Sequence, residues 1–503
     1  MADNTKIWPI FRWANWWLSD DLFTGIRNSF YFSNDMEVRQ DAKSAFPAWC
    51  PAYADTDIAN VSLDVWDGSS WKRDVVCVTE WANDWWWIVC LKKTIYLVNF
   101  NIWTVTELCT MNEEICDMEV FNEYIYIATK NYLYYKKDNW YYWTDMAAAT
   151  NDTDDDYGRC STALQANSNH PLYATDICLC VWDENHLRKV TKETPSLLED
   201  WFEIQKSYYI RFIWELWWFV RVIAVDEPYW SEVLLWDKVS DAPEEIIPLE
   251  WYSMLWSAIY NWYHYLLSNK WLGLLNWYQY YLLKKAEWDL ETTVRNCMCV
   301  YDDKLYFVTK WWIYIYWAKN KNYADVLTLW HKPEDGYKLC AIGASKHWIV
   351  VTRSGKNMWS GTDIPVRVGI NNWTPTVWEL QTMCYYWTSL SEIKQSEYLR
   401  VWYHIPKEWS ASGNVKVYYR TEADAIDNDP NNWSWHELTP AGWLTSESNM
   451  RSPFATTLKL NCRFQWIQFK FVLTNCVYTS WWVKYSKDTN LYSADLYYNV
   501  MLD

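Results

Sequence analysis

Short runs of Val, Ile, Tyr and Phe alternate with polar residues along nearly the whole chain, each run bounded by Asn, Asp, Pro or Ser. Alternation with a period of two marks strands with one buried face, and the 3.6-residue period of an amphipathic helix is nearly absent. The pattern predicts an all-β protein whose strands repeat. Residues 117–136 lie over residues 297–316 without a gap, matching Val120 to Val300, Tyr126 to Tyr306 and Thr129-Lys130 to Thr309-Lys310. Looser copies at 258–268 and 341–352 flank the second unit, and Ser268, Thr309 and Thr352 follow one another at 41 and 43 residues. A β unit recurring at about 40–45 residues is the mark of propeller blades.

Each copy reads as strand, tight turn, strand, short turn, strand. Such a unit buries its sheet faces only against its neighbours, so the copies are expected to close into a ring. Weaker units at 75–98, 174–191 and 208–226 bring the count to six or seven blades between residues 55 and 370. An irregular array of β-sandwiches is the competing architecture. Val120 and Val300 are expected at equivalent places in two blades, both facing the core between sheets. Beyond Asn371-Asn372-Trp373-Thr374-Pro375 the runs at 398–405, 415–420, 467–473 and 495–500 read as half-exposed antiparallel strands. The expected fold is therefore a six- or seven-bladed β-propeller (55–370) followed by a C-terminal antiparallel β-sandwich (376–503). Residues 1–54 read as an N-terminal arm, and 145–172 as an acidic insertion between two blades.

Composition adds an anomaly. The chain has 44 Trp and only 11 Gly in 503 residues. Many Trp follow Asn or Asp, as at Asp84-Trp85, Asp200-Trp201, Asn261-Trp262 and Asn432-Trp433, where a hairpin usually carries Asn-Gly or Asp-Gly. Glycine suits such turns because it adopts positive φ without a Cβ penalty. The placement leads to the hypothesis that most Trp mark UGA codons read as glycine in the source organism or its virus. Many Trp should then sit exposed at turns, several with positive φ. A truly Trp-rich chain is the other possibility, and its aromatic platforms would suit sugars or bases.

The formal charge of −18 argues against a general nucleic-acid binder. The longest apolar stretch, 208–225, is interrupted by Arg211, Glu215 and Arg221, so no membrane-spanning segment is expected. The first residues lack the features of a signal peptide, which points to synthesis in a cytoplasm. The 14 cysteines show no metal or disulfide spacing, and Cys178-x-Cys180 and Cys297-x-Cys299 read as buried free thiols on one strand face. None of the 7 histidines lies three or four residues from another. The one metal candidate is a weak Ca²⁺ site at Asp152, Asp154 and Asp156, whose alternating carboxylates misfit an EF-hand; a solvated acidic loop is the simpler reading. With Trp read as Gly or as Trp, no nucleophile elbow, phosphate loop or dinucleotide fingerprint is present. No catalytic residue and no cofactor is expected, and the chain is not expected to be an enzyme.

The entry at 18–32 and the ending at 464–473 and 491–500, joined to an arm, a Tyr-rich propeller and a terminal sandwich, together resemble the β-propeller tail-hub or tail-stabilisation proteins of tailed bacteriophages. The resemblance implies a structural virion protein, made in the host cytoplasm and built into the virion, with copies of itself and other tail proteins as partners. No catalytic residues carry over. The alternative is a propeller that recognises a glycan or protein on a cell surface.

Overall fold

The computed structural model describes the chain between residues 6 and 500, apart from 13–29, 39–44, 48–53, 138–156, 286–295, 318–325, 357–362, 371–376, 386–392, 439–453 and shorter stretches. It folds as two compact units. One comprises Ala54–Ile313 and Lys332–Asn371, the other Met1–Tyr53, Tyr314–His331 and Asn372–Asp503.

The first unit is a β-propeller. Five blades are four-stranded antiparallel sheets laid down in chain order. Their first strands are Val75–Trp81, Ile115–Phe121, Leu172–Ala174, Tyr209–Leu216 and Met254–Tyr260, and their last are Thr104–Thr110, Tyr157–Arg159, Glu199–Glu203, Glu245–Glu250 and Gln279–Lys285. The sixth blade gives this unit the hairpin of Met298–Tyr301 and Lys304–Val308. The seventh consists of Tyr337–Ala344, Ile349–Lys356 and Asp363–Ile370, completed by Ala54–Ile58 from the other end of the chain. In that last pairing Val368 lies opposite Thr56 and Arg367 opposite Asp57. The first strands of successive blades touch in order, and that of the seventh touches that of the first. The ring is closed, with seven blades.

The repeat seen in the sequence is the inner hairpin of a blade. Glu119 pairs with Tyr126 and Val120 with Ile125 in the second blade. In the sixth, Cys299 pairs with Tyr306 and Val300 with Leu305, the same register. Both hairpins turn through two residues of positive φ, Asn122 (47°) and Glu123 (69°) in one, Asp302 (47°) and Asp303 (54°) in the other. This is the type I′ geometry whose twist matches that of the flanking strands. The second strand then ends on the same device. The Thr129 amide donates to the Tyr132 carbonyl at 2.9 Å and that of Thr309 to Trp312 at 2.8 Å, with each hydroxyl bonded to the same carbonyl. The two Tyr coincide, Tyr126 and Tyr306 both being buried.

The valines depart from expectation. Val120 and Val300 are equivalent, but both are 37% exposed and neither faces the core between sheets. Each stands one residue from the end of its strand, at the rim of the ring, where the adjacent turn leaves its side chain uncovered. Alternation in a sequence separates the two faces of a strand and does not mark where the ring ends.

The acidic stretch also sits differently. Its residues 157–159 form the fourth strand of the second blade, with Tyr135 opposite Gly158, and the third blade begins at Leu172. The long connection therefore lies inside a blade, between its third and fourth strands. The first 54 residues supply strands to the second unit. Lys6–Arg12 pairs with Asn490–Val500 from Lys6↔Tyr498 to Arg12↔Ser493, and Phe30–Asn34 pairs with Val377–Thr382.

That second unit is an antiparallel sandwich of two sheets. One runs in the order Met36–Val38, Ala45–Pro47, Asn490–Val500, Lys394–His404, Phe454–Lys459. The other includes Phe30–Asn34, Val377–Thr382, Ile467–Thr474, Asn414–Thr421 and His436–Glu437 in that order. Period-two burial identifies their inner faces: Phe469, Phe471 and Leu473 on one sheet, Leu399, Val401 and Tyr403 on the other, are all buried.

Among the described residues, tryptophan placement departs from the exposure expectation, which Trp262 alone meets. Trp262, with φ 70° and 74% exposed, occupies the second turn position of the fifth blade's inner hairpin. Among the described residues it is the one exposed Trp, whereas Trp87, Trp182, Trp236, Trp256, Trp433 and Trp466 are buried. Asp84-Trp85 and Asp200-Trp201 lie within strands and not at turns. Trp201 is skipped in its ladder, where Leu187 pairs with Phe202 and Arg188 with Asp200.

Candidate functional site

Two sets of ionisable groups are held in the ring. The first lies on its inner strands. Asp117, buried on the second blade's first strand, accepts hydrogen bonds from the Met118 amide at 3.0 Å and from the Leu172 amide of the third blade at 2.8 Å. Glu119, two residues on, points to the same side of the strand. Burial, reinforced by the charge on Asp117, pushes the Glu119 carboxyl up to about 8, against a hydrogen bond from the Val120 amide. At the equivalent place in the sixth blade burial raises the Cys299 thiol. On the third blade Tyr173 is pushed up to about 12, first by burial, with the charges of Glu215 and Glu119 adding to it. These inner positions are poor in water around the ring, and they favour neutral groups.

The second set locks the second and third blades together. His170 is fully buried; its Nδ1 lies 3.1 Å from the Trp182 carbonyl and its Nε2 3.1 Å from the Lys130 carbonyl. Carbonyl oxygens only accept, so a ring nitrogen that carries a proton donates to the carbonyl it faces. Asp183 completes the cluster, with Oδ1 3.6 Å from His170 Nδ1 and Oδ2 3.1 Å from the Arg188 guanidinium. The Gln165 amide also donates to Asp183, at 2.6 Å, and Arg188 reaches on to Asp200 at 2.9 Å. Removing one partner of a buried ionic network strands the others, at about 3–5 kcal/mol. Asp183→Ala is thus expected to lower stability by about that amount in urea unfolding, and Asp200→Ala, whose own side chain is at the surface, by less than about 1 kcal/mol.

The second unit carries a stack of cations on aromatic rings. The Arg420 guanidinium lies 4.3 Å from the Trp435 ring and 4.9 Å from Trp433, and its Nε donates to Gln468 at 2.6 Å. Lys470 lies 4.7 Å from the Trp435 ring, and burial lowers the affinity of its amine for a proton. With Arg420 buried and every neighbour engaged, this is a packing motif of the sandwich.

Asp152, Asp154 and Asp156, the weak Ca²⁺ candidates, lie outside the described residues. Among the described residues no group of three or more His, Cys, Asp or Glu is arranged to hold a metal ion. The twelve described cysteines are free thiols, and Cys178 and Cys180 share one apolar cluster with Trp182 and Leu187. Among the described residues no helix is long and apolar enough to cross a membrane. The sequence reading did not find the His170–Asp183–Arg188 network, since its members come from two blades and carry no fixed spacing. Glu119 was visible only as the acid that the repeat sets against Cys299.

No protein-family profile and no curated protein matches the chain. Solved structures similar to it include Kluyveromyces lactis Hsv2, at a TM-score of 0.36 and 11% identity over 60% of this chain and 99% of that one. The Neurospora crassa Pan2 WD40 domain gives 0.39 and 7% over 60% and 88%, and a chain of the mitotic checkpoint complex 0.43 and 10% over 64% and 90%. Similarities this distant add nothing to the argument. The propeller is established by its own sheets and by the closure of its ring.

Proposed function

We propose that this chain is a non-enzymatic structural scaffold for protein assembly, and specifically a tail-hub or tail-stabilisation component of a tailed-phage virion. The observation that carries the reading is long-range strand pairing. Strands from 6–12 and 30–47 share sheets with strands from 377–500, and 54–58 closes the ring. These sheets are completed by segments hundreds of residues apart in the chain, which ties the strands of each unit together as a structural part requires. The resemblance of the ends to tail-hub proteins supports the finer reading, with copies of the chain and other tail proteins as partners and the virion as its place. Two measurements test it. Portal, terminase or tail genes beside this gene, and a ring of copies by light scattering on the full-length protein, are expected. A chain that stays monomeric at high concentration and binds a purified glycan overturns it in favour of cell-surface recognition.

We also propose that Trp at the tight turns is decoded glycine. Trp262 occupies a positive-φ position that Glu123 and Asp303 fill in sister blades. Leu216 pairs with Phe219 and Ser480 with Val483, and in both hairpins the sequence between the paired residues is Trp-Trp. A side chain held in the left-handed region loses about 1–2 kcal/mol relative to glycine. Trp262→Gly should accordingly stabilise the protein by about 1 kcal/mol, read from urea midpoints. Sequencing the gene should find UGA at codons 217, 218, 262, 481 and 482; UGG there ends the idea.

A further inference from the structure

Among the described residues, the large apolar side chains exposed in the turns of the ring are all at one end of it; Ile246, Tyr281 and Leu282, exposed on outermost strands, lie outside the turns. Successive strands of a blade run in opposite senses. The turns after first and third strands therefore open on one face of the propeller, and those after second strands, with the connections between blades, on the other. Ile102 (63% exposed) and Val239 (83%) stand in turns after third strands, and Ile177 (50%) and Trp262 in turns after first strands. Val120 and Val300 stand one residue before such turns. Among the described residues no large apolar side chain is exposed in the turns of the opposite face. There the turns are polar and tied down: Lys130 pairs with Glu114 at 2.8 Å, and Lys93 donates to the Asn112 carbonyl.

The same apolar face is rimmed with acid. Glu123, Asp176, Glu193, Glu244, Asp302 and Asp303 are exposed in its turns. The described basic residues beside them are Lys137, Lys192 and Lys304, and Lys304 is buried with its amine 3.4 Å from Asp302. Apolar side chains scattered singly over a surface need no partner, but a set whose turn-borne members all lie on one face, rimmed mainly by acid, marks a docking surface. A second copy placed face to face would set these carboxylates against one another.

We propose that the face carrying the turns after first and third strands binds a different protein, one that presents apolar side chains among lysines and arginines. The proposal deepens the scaffold reading by naming which face engages and what chemistry it accepts. It does not need Trp262, whose loss to glycine would leave the other five apolar residues and the acidic rim in place.

The test uses two synthetic peptides with identical leucine positions, one with lysine and the other with glutamate at the intervening positions, and the full-length protein. Fluorescence anisotropy should show the lysine peptide binding and the glutamate peptide not binding. Ile177→Ser with Val239→Ser, both exposed positions, should weaken the lysine peptide at least about tenfold with the melting temperature unchanged. Glu114→Gln on the opposite face should leave it alone. Binding should weaken as salt rises from low to physiological concentration. Absence of lysine-peptide binding, equal binding by the double variant, or equal binding of the glutamate peptide overturns the proposal. So does a homodimer that the double variant dissolves. If these fail while full-length protein still forms rings in light scattering, the scaffold reading stands and only the face is wrong.

Discussion

Deleting residues 1–58 is expected to leave the propeller about 3–5 kcal/mol less stable than deleting residues 1–53. The two truncations remove the same strands from the sandwich sheets and differ only in Ala54–Ile58, the strand that completes the seventh blade. Five residue pairs, from Val366↔Ile58 to Ile370↔Ala54, are lost with it. At about 1 kcal/mol net per hydrogen bond, the ladder alone accounts for the estimate. Its propeller transition should melt roughly 10 °C lower than in the shorter truncation. The second consequence is local. Asp363–Ile370 becomes an open edge, so its amides lose protection from hydrogen exchange and the protein gains a tendency to associate. Equal melting of the two truncations, with protection of Asp363–Ile370 intact, would mean that the ring does not depend on its closing strand.

That strand also shows why the sequence told half the story. The inner hairpins were legible because their geometry is local: Asn122-Glu123 and Asp302-Asp303 mark the turns, and Thr129 and Thr309 mark the ends. The closing strand reads Ala-Asp-Thr-Asp-Ile, too polar to announce itself, and its partner lies some three hundred residues away in the chain. Tyr157–Arg159 and Leu172–Ala174 are three residues long and sit beside an acidic stretch, so no period could be read from them. Residues 1–54 looked like an arm for the same reason. A strand that finds its partner near residue 495 has no signature in its own neighbourhood.

The functional residues were less legible still. Chemistry was sought in fixed spacings, and the ionic core of this ring has none: His170, Asp183 and Arg188 converge with the Lys130 carbonyl of another blade only once the blades are stacked. The exposed apolar face is likewise a property of the ring. Ile102, Ile177 and Val239 are unremarkable in sequence, and only the alternation of strand direction around seven blades puts them at one end.

The same stacking gives Glu119 the second large effect. Its carboxyl, pushed up to about 8 by burial and by the charge of Asp117, stays protonated in the folded ring at neutral pH. In the unfolded chain a glutamate titrates near 4.3, as is usual for this side chain. Below about pH 4 both states carry the proton and burial of Glu119 costs nothing extra. Between about 4 and 8 the unfolded state has lost its proton and the folded state has not. Stability therefore falls as pH rises, by up to about 1.4 kcal/mol per unit, and levels off above about 8. The side chain is partly exposed, so a penalty of about 2–4 kcal/mol at pH 8 is the reasonable expectation. Glu119→Gln keeps the shape and removes the proton. Its urea midpoint should match that of the parent at pH 4 and exceed it by that margin at pH 8. Cys299→Ala supplies the control, because the thiol at the equivalent place is neutral in the folded state and mostly so in the unfolded chain up to pH 8. Its effect should vary by no more than about 0.2 kcal/mol over that range. A gap between Glu119→Gln and the parent that is the same at pH 4 and pH 8 would show that this position is not starved of water, and the account of the ring's inner wall would fall with it.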